Sequence, residues 1–196
     1  MNGSDLARTI FDLKAALTSL DGSFMLIGGL AVVLRGFPRH TDDIDVAVLG
    51  AEASADRLAR LLIKGGFVPR IDDAVAFAEQ NQVLLFRHSE TGIEVDVSLA
   101  WLPFEEEAVA AAERIDVEGI RLPVARVEDL LIYKAVAWRE RDRRDIRELL
   151  GLYHDELDLD RVREVIAQFA AVIDEPERLA EFERLVDEVA SGFRSR

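Results

Sequence analysis

Two aspartates, Asp43 and Asp45, stand at alternate positions of the apolar run "DIDVAVL". A strand points alternate residues to one side, so these two carboxylates lie close together. Left alone they repel, resist desolvation, and drive one of the pair to take up a proton. A divalent cation removes that cost. Hard oxygen ligands on a rigid strand suit magnesium, which accepts one or two carboxylates plus waters and substrate phosphates. A further carboxylate lies on the later run "IEVDVSL", where Glu94, Asp96 and Ser98 share a face. Beside the first strand, Asp96 completes a three-carboxylate cluster, with Glu94 the alternative that alternation alone does not separate from it. Two metals held this way clamp a triphosphate and an attacking hydroxyl for in-line phosphoryl or nucleotidyl displacement.

Upstream, Gly28-Gly29 sits between the apolar run "FMLI" and the helix-like "LAVVLRG". Glycines let backbone N–H groups approach a ligand, and a strand-to-helix junction favours negative charge, so phosphate binding is natural there. Arg39, between Pro38 and His40, either touches phosphate or pins its own loop. Asp42 points the other way from its neighbours and reads as a solvated turn residue or a cap rather than a ligand. His40, His88 and His154 are scattered, and no metal or catalytic histidine is assigned. Trp101 and Trp138 read as packing residues.

Positioning these groups requires a mixture of strands and helices. Leu6, Ile10, Leu13, Leu17 and Leu20 recur at helical spacing up to Asp21-Gly22. "SADRLARLLIKGGF" is a helix stopped by Gly65-Gly66. "QVLLFRH", the turn "SETG" and "IEVDVSLAW" form a hairpin. "FEEEAVAAAERI" is helical, and "IDVEGIRLPV" makes a second small hairpin around Glu118-Gly119. From Val127 only helices follow, over 127–140, 142–153, 159–173 and 175–190, with Asp158 and Asp174 as N-caps and Pro176 in a first turn. The expected architecture is α+β: a catalytic α/β domain over 1–125 and a C-terminal helical bundle over 126–196 packed on it.

The composition narrows the partners. Twenty-four basic and 38 acidic side chains give a formal charge of −14, which disfavours wholesale coating by nucleic acid. "WRERDRRDIRE" nonetheless gathers Arg139, Arg141, Arg143, Arg144 and Arg147, either as a local anion site or as a solvated face laced with acidic partners four residues away. There is no cysteine, which excludes disulfides and thiolate chemistry and fits a reducing cytosol. The longest apolar run, Phe24 to Leu34, falls short of the ~20 residues a membrane helix needs. The N-terminal stretch lacks the basic-then-apolar layout of a signal peptide. A soluble cytoplasmic protein is expected.

The glycine pair, thirteen intervening residues and then "DIDV" resemble the signature of the nucleotidyltransferase superfamily of DNA polymerase β. "GFPRHTDDIDVAV", "VDVSLAWLPFEEEAV" and "LPVARVEDLLIYKAVAWRERDRRDIRELL" are similar to bacterial AbiEii/AbiGii-type nucleotidyltransferase toxins, over about residues 24–152. That resemblance implies a mixed sheet with flanking helices, two magnesium ions, and transfer of a nucleoside monophosphate from an NTP to a hydroxyl. It implies that Gly28 and Gly29 contact phosphate, that Asp43 and Asp45 hold the metals, and that Asp96 binds metal and serves as base. Lys134 and Asp145 occupy positions resembling the family's Lys and Asp. Lys134 would neutralise the triphosphate, or else snorkel at the protein edge; Asp142 and Asp145 would pair with neighbouring arginines or cap the helix. Many superfamily members carry serine where this chain has Gly29.

The acceptor is an RNA end, a protein side chain or a small molecule, and the toxin likeness implies an antitoxin partner. The alternatives are a non-catalytic nucleotide- or partner-binding module of the same fold, and a metal-dependent nuclease or phosphohydrolase.

Overall fold

The computed structural model describes residues 3–20, 23–49, 54–117 and 119–194. The chain divides into two units, one of residues 1–34 and 39–125, the other of residues 35–38 and 126–196.

The first unit is built on a mixed seven-stranded sheet: β1 (Phe24–Ile27), β2 (Asp43–Leu49), β3 (Phe67–Pro69), β4 (Val83–His88), β5 (Glu94–Ala100), β6 (Glu113–Val117) and β7 (Ile120–Val124). Their order is β3-β4-β5-β2-β1-β7-β6. β2 runs parallel to β5 and antiparallel to β1; β1 runs parallel to β7. All four residues of β1 are buried, as its unbroken apolar sequence requires of a central strand. In β2, Ile44, Val46 and Val48 are fully buried, and the alternation leaves Asp43 and Asp45 half-buried on the other face.

Around the sheet lie α1 (Gly3–Leu17), α2 (Gly28–Leu34), α3 (Ala55–Lys64), α4 (Ala74–Asn81) and α5 (Pro103–Ala110). α1 buries Ile10, Leu13 and Leu17, and a short 3-10 turn, Thr18–Leu20, carries the apolar stripe to Leu20. The expected stop at Asp21-Gly22 falls outside the described residues. Ser54 caps α3 by accepting from Arg57 N. Glycine ends β1 as expected, and α2 begins at Gly28 itself.

Two elements differ from the sequence reading. The helix expected through Ile115 ends at Ala110, and Glu113–Val117 pairs with β7 instead; Leu122 and Val124 give the segment an apolar partner that local pattern does not show. Residues 67–81, without a clear period, form the short strand β3 and the helix α4.

A polar knot ties α1 to the β4–β5 hairpin. His88 is 2% exposed; its Nε2 faces Asp12 Oδ2 at 3.1 Å and its Nδ1 faces Thr91 Oγ1 at 3.0 Å. Thr91 in turn meets Thr9 at 2.7 Å, and Phe67 packs edge-on to the imidazole. This histidine is structural. His88→Ala is expected to cost about 3 kcal/mol, from two lost buried hydrogen bonds and a ring-sized cavity. The midpoint of urea unfolding measures it.

The second unit comprises α6 (Val127–Ala137), α7 (Glu140–Tyr153), α8 (Leu159–Val172) and α9 (Arg178–Arg194). α6 packs on α7 and α8, and α9 on the same two helices. Asp158 caps α8, accepting from Arg161 N at 3.1 Å. Asp174 does not cap α9. It adopts φ 57° just past the end of α8, where Glu175 N bonds back to Ala170 O, so it closes one helix rather than opening the next. Pro176 accordingly lies in the turn before α9. Trp138 ends α6 at φ 52°, with the Arg178 guanidinium 4.9 Å from its ring centre. Among the described residues no helix is long and apolar enough to cross a membrane.

Candidate active site

Parallel pairing of β2 with β5 sets Asp43 opposite Glu94 and Asp45 opposite Asp96. Neighbouring strands lie about 4.8 Å apart, so four carboxylates crowd one end of two adjacent strands, all on one face. Such crowding needs positive charge. Arg70, which follows β3, supplies part of it, donating from Nη1 to Glu94 Oε2 and from Nη2 to Asp96 Oδ1. Sequence reasoning missed Arg70, a lone arginine in "FVPRIDD" whose partners lie 24 and 26 residues away; only the β3–β4–β5 pairing brings it in.

The glycine turn closes against the same carboxylates. Gly28 adopts φ 64°, and a Cβ there would fall 1.8 Å from Asp45 Oδ2. Only glycine accommodates both the left-handed backbone and that approach. Gly29 N points at Asp45 Oδ2 from 3.4 Å. A Cβ at Gly29 would meet Thr41 Oγ1 at 2.5 Å and Arg39 Nη2 at 2.7 Å. The space beside the turn is therefore filled by a hydroxyl and a guanidinium from the following loop. Thr41 places its hydroxyl in the space a side chain at 29 would take, and donates to Asp43 Oδ1 at 3.0 Å. Arg39 both pins its loop, donating to His40 O at 2.9 Å, and lays positive charge against the turn.

Gly28, Gly29, Arg39, Asp43, Asp45 and Asp96 thus stand in one unit on neighbouring elements. The three aspartates do not converge into a ligand set as they stand. Among the described residues no three His, Cys, Asp or Glu side chains are placed to hold a metal ion. The reason is visible: Asp96 is turned to Arg70, and Asp45 to the glycine turn. Glu94 is exposed, whereas Asp96 is half-buried and registered with Asp45, so Asp96 is the better placed of the two alternatives.

Burial raises the Asp96 carboxyl above the ordinary range; Arg70 pulls it back, while Asp43 and Glu94 push it further up. Because the folded value exceeds the unfolded one, the native state holds more protons between them, and stability falls as pH rises through that window. Asp96→Asn is expected to raise the melting temperature at pH 7, the gain shrinking as pH falls toward the ordinary carboxylate range. Calorimetric scans at several pH values check this.

Lys134 lies in the helical unit. It is 7% exposed, and its Nζ lies 3.0 Å from Asp142 Oδ1 and 2.8 Å from Asp145 Oδ2. It does not snorkel at the protein edge, and its charge is engaged by two carboxylates. Asp142 and Asp145 both face this lysine, and Asp142 caps α7 as one of the two expectations had it, its Oδ2 accepting from Arg139 N. Asp42 is exposed as expected, within 3.3 Å of His40 Nδ1. Trp101 is 64% exposed and so is not a packing residue; it lies past the far end of β5 from the carboxylates.

A family model described as "Nucleotidyltransferase of unknown function (DUF6036)" matches residues 5–194. No curated protein sequence matches the chain. Solved structures share its fold. The solution structure of the antibiotic-resistance factor ANT(2'')-Ia superposes with a TM-score of 0.59 at 17% identity, covering 92% of this chain and 99% of that one. The crystal structure of the same factor with adenylyl-2''-tobramycin gives 0.53 at 19% identity, covering 84% and 97%. An antigenic nucleotidyltransferase-like protein from Paracoccidioides brasiliensis gives 0.54 at 18% identity, covering 88% and 91%.

Proposed function

The chain belongs to the nucleotidyltransferases of unknown function DUF6036, and from that premise we propose that it transfers a nucleoside monophosphate from an NTP to a hydroxyl acceptor with magnesium. The observation that carries this reading is the registry of Asp43-Asp45 with Glu94-Asp96 on parallel strands, closed by a glycine turn that the Asp45 carboxylate fills. The donor set is all hard oxygen, which suits magnesium. Asp43 and Asp45 would hold the metal, and Asp96 would join them by exchanging Arg70 for it. Bound magnesium neutralises the triphosphate and lowers the barrier to in-line displacement.

The remaining steps fall to side chains and backbone already present. Gly28 and Gly29 leave backbone room for phosphate, and Arg39 adds positive charge beside them. Asp96, in register with Asp45, is placed to act as the base that takes the acceptor hydroxyl's proton. Arg70, once released, stays beside Glu94 and offers a fork for an anionic product or acceptor group. Lys134 could reach triphosphate only by leaving Asp142 and Asp145. One structural relative is solved in complex with adenylyl-2''-tobramycin, which supports a small molecule among the acceptor classes open to this chain. The narrower likeness to AbiEii/AbiGii toxins adds growth inhibition and an antitoxin partner to the same chemistry.

Purified protein incubated with magnesium and each labelled NTP, then challenged with lysate fractions, is expected to label an acceptor. Labelling that persists in Asp45→Ala removes the metal role from these carboxylates. Magnesium-dependent NTP binding without turnover would instead favour a binding module.

A further inference from the structure

The helical unit carries a second site of opposite sign. At the start of α7 an open groove of about 900 Å³ is lined by Arg139, Glu140, Arg141, Arg143, Arg144 and Arg147. Arg139, Arg143 and Arg147 recur at four-residue steps and so form one stripe, with Arg144 beside it. Of the four acids in "WRERDRRDIRE", Asp142 and Asp145 are buried and turned to Lys134, and Glu148 is not part of the lining. The groove therefore sets five guanidinia against the single carboxylate Glu140.

Those guanidinia are largely uncompensated. Arg147 pairs with Glu188 at 3.0 Å, but Arg139, Arg141, Arg143 and Arg144 make no ion pair with a carboxylate of the described residues. Arg144 rests on the Phe37 ring at 5.6 Å, a contact that orients the guanidinium without neutralising it. The laced, self-paired helix face is thus not what forms. Like charges at helical spacing destabilise the helix. A chain of net charge −14 has acids to spare, yet leaves these arginines without them.

We propose that this groove binds the sugar–phosphate backbone of a short nucleic-acid strand. The lining selects among anions. A protein partner buries apolar anchors at the centre of its interface, and this groove offers none. A free nucleotide pocket needs an apolar slot for the base, also missing from the lining. What remains is an occupant with repeated negative charge and no apolar face to bury. Guanidinium forks match phosphate oxygens in pairs. The arginines span about 12 Å along α7, which suits a few consecutive phosphates. The acidic balance of the rest of the chain confines the footprint to that length. This site stands on the helical unit alone and does not depend on the transferase reading.

The test uses the full chain without NTP or magnesium, and two fluorescein-labelled 12-nucleotide strands of one sequence, RNA and DNA. Fluorescence anisotropy is expected to show saturable binding of at least one strand. With three to four phosphates neutralised, the slope of log K against log salt is about −2 to −3, or about thirtyfold weaker binding at 200 than at 50 mM. Arg141→Glu with Arg144→Glu is expected to weaken binding at least tenfold, and the Arg141→Gln, Arg144→Gln pair by a smaller factor with the helix retained. Arg60→Glu, on α3 of the other unit, leaves it unchanged. The comparison of strands distinguishes RNA from DNA as the source. Failure of both strands to bind at 50 mM salt overturns the proposal. So does binding indifferent to the arginine variants, or equal competition by inorganic triphosphate or by a polyglutamate peptide at matched charge.

Discussion

Asp45→Asn is expected to slow nucleotidyl transfer on the order of a thousandfold, because several kcal/mol of charge stabilisation by metal leave with the carboxylate. The side chain keeps its shape, so Gly29 N at 3.4 Å still finds an oxygen and the turn still closes. The melting temperature should stay within a few degrees, or rise, since one of four crowded negative charges is gone. Steady-state transfer assays and a thermal melt, read together, separate lost chemistry from lost fold. Gly28→Ala gives the opposite combination. Its Cβ would collide with the Asp45 carboxylate, and its backbone sits at φ 64°, so fold and activity fall together.

Lys134→Met is expected to cost about 3–5 kcal/mol in the helical unit, the usual consequence of removing one partner from a buried ionic cluster. Asp145 is fully buried and Asp142 nearly so, and both face the ammonium. Losing it leaves two neighbouring buried carboxylates without the ammonium they share. Urea unfolding measures the loss, and Asp145→Asn in the same background should restore part of it, as a coupled pair must. The same variant bears on the nucleotide role implied for Lys134. A triphosphate contact shows as a raised KM for NTP in a protein of unchanged stability; an internal tie shows as lost stability first.

How much could be read beforehand follows from the range of each interaction. β2 and β5 were legible because alternation is local, and so were Asp43, Asp45 and Asp96 as residues that share faces. Their side-by-side registry was expected on condition that the strands neighbour each other, and β2 does run parallel to β5. Arg70 was not legible, since nothing within a few residues marks it; the pairing of β3 with β4 and β4 with β5 makes it a neighbour of Asp96. Gly29 looked like a missing hydroxyl, yet Thr41, twelve positions later, fills the space. The false extension of α5 through Ile115 has the same origin: "AAAERI" has strong helix formers, and pairing with β7 outweighs their preference. Asp174 misled because an acid two residues before a proline resembles an N-cap ahead of a first helical turn, whereas here the left-handed backbone ends the preceding helix.

On the proposed chemistry, the carboxylate end of β2 and β5 takes magnesium together with a triphosphate. A crystal of the protein soaked with magnesium and a non-hydrolysable NTP tests it most directly. The expected density is metal between Asp43 and Asp45, phosphates against Gly28-Gly29, and Asp96 turned from Arg70 to the metal. Nucleotide bound elsewhere, with Asp96 still on Arg70 and no metal at β2, would contradict it.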